Sequence, residues 1–329
     1  MTRSILAAGL LCVFTHAALA DTPVLHVLTY DSFASDWGPG PQVESAFEAE
    51  CGCDLVFDTA GDGAAVLARL MLEGARTDAD VVLGLDTNLT AQATQSGLFA
   101  PHGQTPALDL PVDWSDPLFV PFDWGWFAFV YDKENVSNPP QSLAELAESD
   151  LSLVIEDPRS STPGLGLLLW VKSVYGDDAP AAWDALNDQI VTVTKGWTEA
   201  YGMFLEGEAD MVLSYTTSPA YHLIAEDDDS KAALAFAEGN YLQVEVAAKL
   251  AASDQPELAD AFLAFMLSDG FQGVIPTTNW MYPAVTPEAG LPEGFETLVQ
   301  PETSLIVLGA EAEALRDVAL DEWLTAASR

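Results

Sequence analysis

The sequence predicts an α/β protein of two lobes with a ligand cleft between them, and three observations predict it. Apolar strand patterns alternate with amphipathic helix patterns from Val24 to Gly84 and again from Leu151 to Ser214. Two long extended segments, Phe119–Lys133 and Tyr241–Leu250, suit strands that cross between lobes. Polar, aromatic and glycine residues gather just past strand ends, where open α/β sheets bind their ligands.

Residues 1–20 are expected to be a secretory leader. Arg3 gives the positive start, Ile5 to Phe14 the apolar stretch, and Ala18-Leu19-Ala20 the small-residue cleavage site. Cys12 does not read as a lipid-anchored cysteine, because Leu11 stands where a small residue is wanted. An exported, soluble protein in the periplasm is expected. Export removes Arg3 and Cys12, leaving 10 basic residues against 51 acidic ones. That balance argues against nucleic acid and anionic membranes as partners, and it suits a salty medium that screens self-repulsion.

Strand Val24–Thr29 comes first and ends in Tyr30-Asp31-Ser32-Phe33. Helix Pro41–Glu50 follows, then Cys51-Gly52-Cys53, then strand Asp54–Asp58. An oxidising compartment favours a disulfide between Cys51 and Cys53, although so short a ring constrains little chain. The pair stands at the start of its strand, away from any cleft, so a structural role is the better reading. Asp62-Gly63 opens helix Ala64–Glu73, and strand Ala79–Gly84 completes the set.

In Phe119–Lys133 (FVPFDWGWFAFVYDK), Trp124, Trp126, Phe127 and Phe129 read as packing of the crossing strand. Strand Leu151–Glu156 then runs into Asp157-Pro158-Arg159-Ser160-Ser161-Thr162-Pro163-Gly164 and helix Leu165–Val174. Thr162 can cap that helix, and Pro163 suits its first turn. Its free N–H groups offer a site for an anion or hydroxyl; an ordinary helix start reads the same way. Strand Ile190–Thr194 leads through Trp197, in a turn, to a helix ending near Gly207 and strand Met211–Ser214. Helices around Pro256–Leu267 and Glu311–Ala327 close the chain, with Asn279–Pro283 in the loop between them. The expected division is a leader at 1–20, lobe 1 at 21–123, lobe 2 at 124–240, and at 241–329 the return strand, the rest of lobe 1 and the C-terminal helices.

The candidate site is the cluster around Trp197, Tyr215, Thr216, Thr217, Ser218 and Tyr221. An indole, phenols and hydroxyls at one strand end suit a flat, polar small molecule; covering the sheet edge is the competing reading. Trp37, Trp197, Tyr215, Tyr221 and Trp280 could wall a heteroaromatic cation, with Asp31, Asp62, Asp86 and Asp123 favouring positive charge. Arg159 and Lys195 stand out as rare cations, for a ligand or for surface carboxylates. No nucleophile elbow, metalloprotease helix or phosphate loop is present. No metal site and no resident cofactor are expected.

Five strings carry a resemblance: YDSFASDWGPGP (30–41), VPFDWGWFAFVYDK (120–133), DPRSSTPGLGLLLW (157–170), the stretch from Val191 to His222, and IPTTNWMYP (275–283). They resemble the periplasmic thiamine-binding proteins, solute receptors of bacterial thiamine ABC transporters, across nearly all of the exported chain. The resemblance implies a type 2 periplasmic-binding-protein fold that closes on thiamine, thiamine monophosphate or thiamine diphosphate. It places ligand contacts at Asp62, Gly63, Ser161, Thr162, Trp197 and Tyr215 to Ser218, with Tyr30, Tyr221 and Trp280 as further members. The implied protein is not an enzyme; it is a monomer that hands its ligand to a membrane permease. The chain departs from the usual pattern in Trp124 and Trp126, where tyrosines are common, and in its few lysines. A thiamine-cleaving enzyme on a similar fold, or a receptor for another small cation such as a polyamine, are the alternatives.

Overall fold

The computed structural model describes residues 22–328; the expected leader lies outside them. Lobe 1 starts with β1 (Val24–Thr29), α1 (Gly40–Cys51), β2 (Asp54–Thr59), α2 (Gly63–Glu73), β3 (Val81–Asp86) and α3 (Thr90–Ser96). The crossing strand β4 (Val120–Asp132) leads to α4 (Leu143–Ala147), β5 (Leu153–Glu156), α5 (Thr162–Tyr175) and α6 (Ala179–Leu186). Then come β6 (Ile190–Thr194), α7 (Trp197–Leu205), β7 (Met211–Tyr215), α8 (Pro219–Ala225) and β8 (Lys231–Ala233). The return strand β9 (Asn240–Lys249) is followed by α9 (Pro256–Phe265), α10 (Asp269–Gln272), α11 (Ile275–Thr278), β10 (Tyr282–Pro283), β11 (Ser304–Leu305) and α12 (Gly309–Ala327).

The strands join in the order β2-β1-β3-β9-β4-β7-β5-β6. Pairing is parallel within β2-β1-β3 and within β7-β5-β6, as βαβ crossovers require. It is antiparallel where β9 and β4 pass through the middle. Residues Val120 to Trp126 of β4 pair with β9, and Phe127 to Tyr131 pair with β7, so one strand serves both lobes. Its alternate aromatics fill the core, with Phe127 and Phe129 fully buried and Trp124 stacked on Tyr282.

Strand β3 starts two residues later than expected and runs on past Gly84. A glycine reads as a strand end, but here it forms a bulge between Leu83 and Leu85 with φ +97°. A Cβ at Gly84 would lie 2.1 Å from the Tyr30 ring, so the bulge makes room for that ring. The short helices α3, α4, α6 and α8 add to those marked by periodicity. The Asn279–Pro283 loop is pinned to β4, because Tyr282 pairs with Trp124 through β10. Cys51 and Cys53 are joined by a disulfide, with Cα atoms 5.2 Å apart. Helix α12 packs on α5 and α6 of lobe 2 and also on α3 of lobe 1. Lys172 binds Glu322 at 2.7 Å, and Arg316 reaches Gln92.

Candidate functional site

Helix α7 begins at Trp197, the first helical residue rather than part of a preceding turn, and its cap position is Gly196. Glycine brings no side chain to the free N–H groups of the first turn. Lobe 1 supplies the acceptor: Asp62, at the start of α2, takes the Trp197 N–H on Oδ2 at 3.0 Å. Burial raises the Asp62 carboxyl, and the nearby Ser161 hydroxyl and the bond from the Trp197 N–H draw it back down. The Ala65 N–H donates to the Ser160 carbonyl at 3.2 Å, a second bond between the lobes. A Cβ on Gly63 would come within 2.6 Å of Thr162 Oγ1, so glycine lets the helix starts of α2 and α5 meet. The lobes are therefore closed on one another.

Between them lies a cavity of about 370 Å³. Aromatic side chains form its walls. The Trp197 ring stacks on Tyr201 with centroids 5.0 Å apart, and its Nε1–H donates to Ser214 at 2.8 Å. Trp37 reaches toward Trp197 from lobe 1, and Tyr221 meets Trp280 edge to face at 5.4 Å. One carboxylate steadies two of these walls. Glu226 accepts from the Tyr221 hydroxyl and from Nδ1 of His222, whose Nε2 accepts from the Tyr201 hydroxyl. Trp280 adopts a left-handed backbone with φ +56°, a strain that bulky residues avoid outside functional sites.

The floor is polar. The Tyr30 hydroxyl donates to Glu245 at 2.9 Å, and Asn279 Nδ2 donates to Asp123 at 2.6 Å. No lysine or arginine is among the described residues lining the cavity. Arg159 pairs with Asp157 and lies over Trp323 instead, and Lys195 is also off the cavity wall.

Of the residues expected from the sequence, Tyr30, Asp62, Gly63, Thr162, Trp197, Tyr215, Ser218, Tyr221 and Trp280 line the cavity. Ser161, Thr216 and Thr217 do not. Ser161 is wholly buried as the N-cap residue of α5, leaving Thr162 as the first helical residue rather than the cap. Thr216 and Thr217 are both fully buried off the cavity wall, where the chain turns from β7 into α8. The Thr217 hydroxyl points at Met281 Sδ. Asp86 and Asp123 lie buried beneath the floor rather than around it. Tyr201, Glu245, Asn279 and Ser32 line the cavity without having been singled out. Tyr201 had a usable signal, being one turn from Trp197 on the same helix face.

The sequence profile described as bacterial extracellular solute-binding protein matches residues 34–273. The thiamine-binding periplasmic protein of Escherichia coli (strain K12) is 56% identical, and the alignment covers 100% of both chains. That of Salmonella typhimurium (strain LT2) is 57% identical over 93% of this chain and 94% of its own. A solved structure described as periplasmic thiamin binding protein has a TM-score of 0.91 at 56% identity, covering 98% of this chain and 100% of that one. Likeness of this extent, over two lobes closed on an aromatic cavity, makes the chain a member of the bacterial extracellular solute-binding protein family.

Proposed function

We propose that the protein captures thiamine, and its mono- and diphosphate, in the cleft between its lobes and delivers it to the membrane permease of an ABC importer. The observation that carries this reading is a cavity between the lobes walled by Trp197, Tyr201, Tyr215, Tyr221 and Trp280, with Asp62 and Glu245 on it and no lining base among the described residues. Thiamine is a permanent thiazolium cation joined to an aminopyrimidine. Aromatic faces and carboxylates attract such a cation, more strongly once water is excluded. The relatives named as periplasmic thiamine-binding proteins support both the ligand and a periplasmic location. We infer a receptor without turnover, acting as a monomer.

Calorimetric titration with thiamine and its two phosphates, followed by product analysis, tests the reading. Reversible binding with the ligand recovered intact is expected. Absence of binding heat, or the appearance of cleaved thiazole and pyrimidine, would overturn it. Trp197→Ala should weaken thiamine binding by about 2 kcal/mol, roughly 30-fold, because an aromatic anchor and its attraction for the cation go together. An unchanged dissociation constant would remove Trp197 from the site.

Thr162 lines the cavity at the start of α5, and in this reading it meets the hydroxyethyl or phosphate end of the ligand. Among the described residues no basic side chain lines the cavity, so hydroxyl and backbone N–H groups are left to hold any phosphate. Thr162→Val should weaken the phosphorylated forms several-fold more than thiamine. Equal weakening of all three would mean that the change acts through the helix alone.

A further inference from the structure

Three carboxyls stand on one rung of the sheet. Glu245 of β9 is paired on one side with Asp86 of β3 and on the other with Asp123 of β4. Residues opposite one another on neighbouring strands project from the same face, with Cβ atoms about 5 Å apart. All three are buried, and no ion pair among the described residues includes any of them.

The groups turned toward this rung are neutral or acidic. Asn88 donates to Asp86 from its backbone and side chain, Asn279 donates to Asp123, and Tyr30 and Gln243 donate to Glu245. The phenols of Tyr215 and Tyr241 feel the same acids, and Glu311 of α12 faces Tyr241. Asp62, across the cavity, is another acid. Two acceptors here are wholly buried without a partner, Oδ1 of Asp123 and Oε1 of Gln243. Glu245 itself reaches the cavity wall. The floor thus offers buried acceptors and crowded carboxyls, and no ion pair among the described residues brings a cation to them.

We propose that this rung exchanges a proton for the bound cation: as the thiazolium enters, one carboxyl gives up its O–H proton to solvent and the carboxylate left behind balances the ligand's charge. The proposal rests on the thiamine reading above. Burial pushes Asp86 up to about 7. Burial likewise raises Asp123, and Glu245 is raised by burial and by repulsion from Asp123 and Asp86. The free rung therefore holds protons at neutral pH. A neighbouring cation favours the ionised form. Affinity must then rise with pH between the bound-state and free-state values and level off above them, with a slope equal to the protons released.

The test is titration of the full exported chain with thiamine at pH 7, in phosphate and in Tris buffers of equal ionic strength. The two buffers differ in ionisation enthalpy, so the difference in heat counts protons. Release of about one proton per thiamine is expected, and a neutral thiophene isostere of thiamine should release none. Glu245→Gln, which keeps the shape and the Tyr30 bond, should lose about tenfold in affinity and flatten the pH profile. Asp123→Asn should do the same, and melting curves check that both variants fold. Tight binding with heats independent of buffer would overturn the exchange and leave the thiamine reading standing. No binding in either buffer would sink both.

Discussion

Replacing Asp62 by alanine is expected to weaken thiamine binding by about 3 kcal/mol, on the order of 100-fold. Asp62 belongs to lobe 1, yet it is the acceptor for the first N–H group of a lobe 2 helix. Gly196 brings no side chain that could replace it, and a partly buried N–H left without its partner is costly. The bond is charge-assisted and sits at the positive end of the helix dipole, so it belongs to the stronger class. It joins the two lobes, so its loss is expected to fall on the closed state that holds the ligand. Asp62→Asn separates the two contributions. It keeps an acceptor for Trp197 but removes a negative charge from the cavity, and it should cost roughly a third to a half as much. Titration calorimetry on both variants checks this. An alanine variant that binds as tightly as the parent would show that closure does not depend on this cap. Gly196→Ala offers a milder probe, since its methyl would press on the Asp62 carboxylate at 3.2 Å.

A second large effect follows from composition. The formal net charge is −40, and most of the bases already sit in local ion pairs such as Lys231 with Asp132 and Lys249 with Asp260. The remaining carboxylates repel one another in dilute buffer, and at molar salt the Debye length falls to about 3 Å. A screening gain of about 3 kcal/mol would raise the melting temperature by on the order of 5 °C. Sodium chloride also strengthens apolar burial, so sodium perchlorate at matched ionic strength is the proper comparison. Screening alone predicts similar rises in both salts at low concentration. Thiamine affinity should fall over the same range, because the cation loses its attraction to the acidic cleft. A melting temperature flat with salt would show that the carboxylates are too dispersed to matter.

Much of the frame is legible in the chain. β1, β2, β4, β6 and β9 fall where their apolar or aromatic runs stand, because each is long enough to declare its period. β3 was displaced because Gly84 reads as a stop, while the structure uses it as a bulge beneath Tyr30. The aromatic walls were legible for a related reason: tryptophans and tyrosines gathered past strand ends have few structural uses. The floor was not. Asp86, Asp123 and Glu245 come from three strands far apart in sequence, and only the register of β3, β9 and β4 aligns them. A lone glutamate inside an apolar crossing strand carries no local signal of that pairing. Thr216 and Thr217 failed the other way, since a run of hydroxyl residues cannot show which of its members turn inward.

Helix α12 bears on how the cavity can open at all. It rests on α3 of one lobe and on α5 and α6 of the other, so rotation of the lobes must turn about this helix or tear it from one side. Its broader seat, with the Lys172–Glu322 pair, is on lobe 2. It should ride with that lobe and slide against α3, like a hinge pin fixed in one leaf. A pin holds the pivot still while the far edge swings widest, which puts the greatest travel at the mouth where Trp37 faces Trp197.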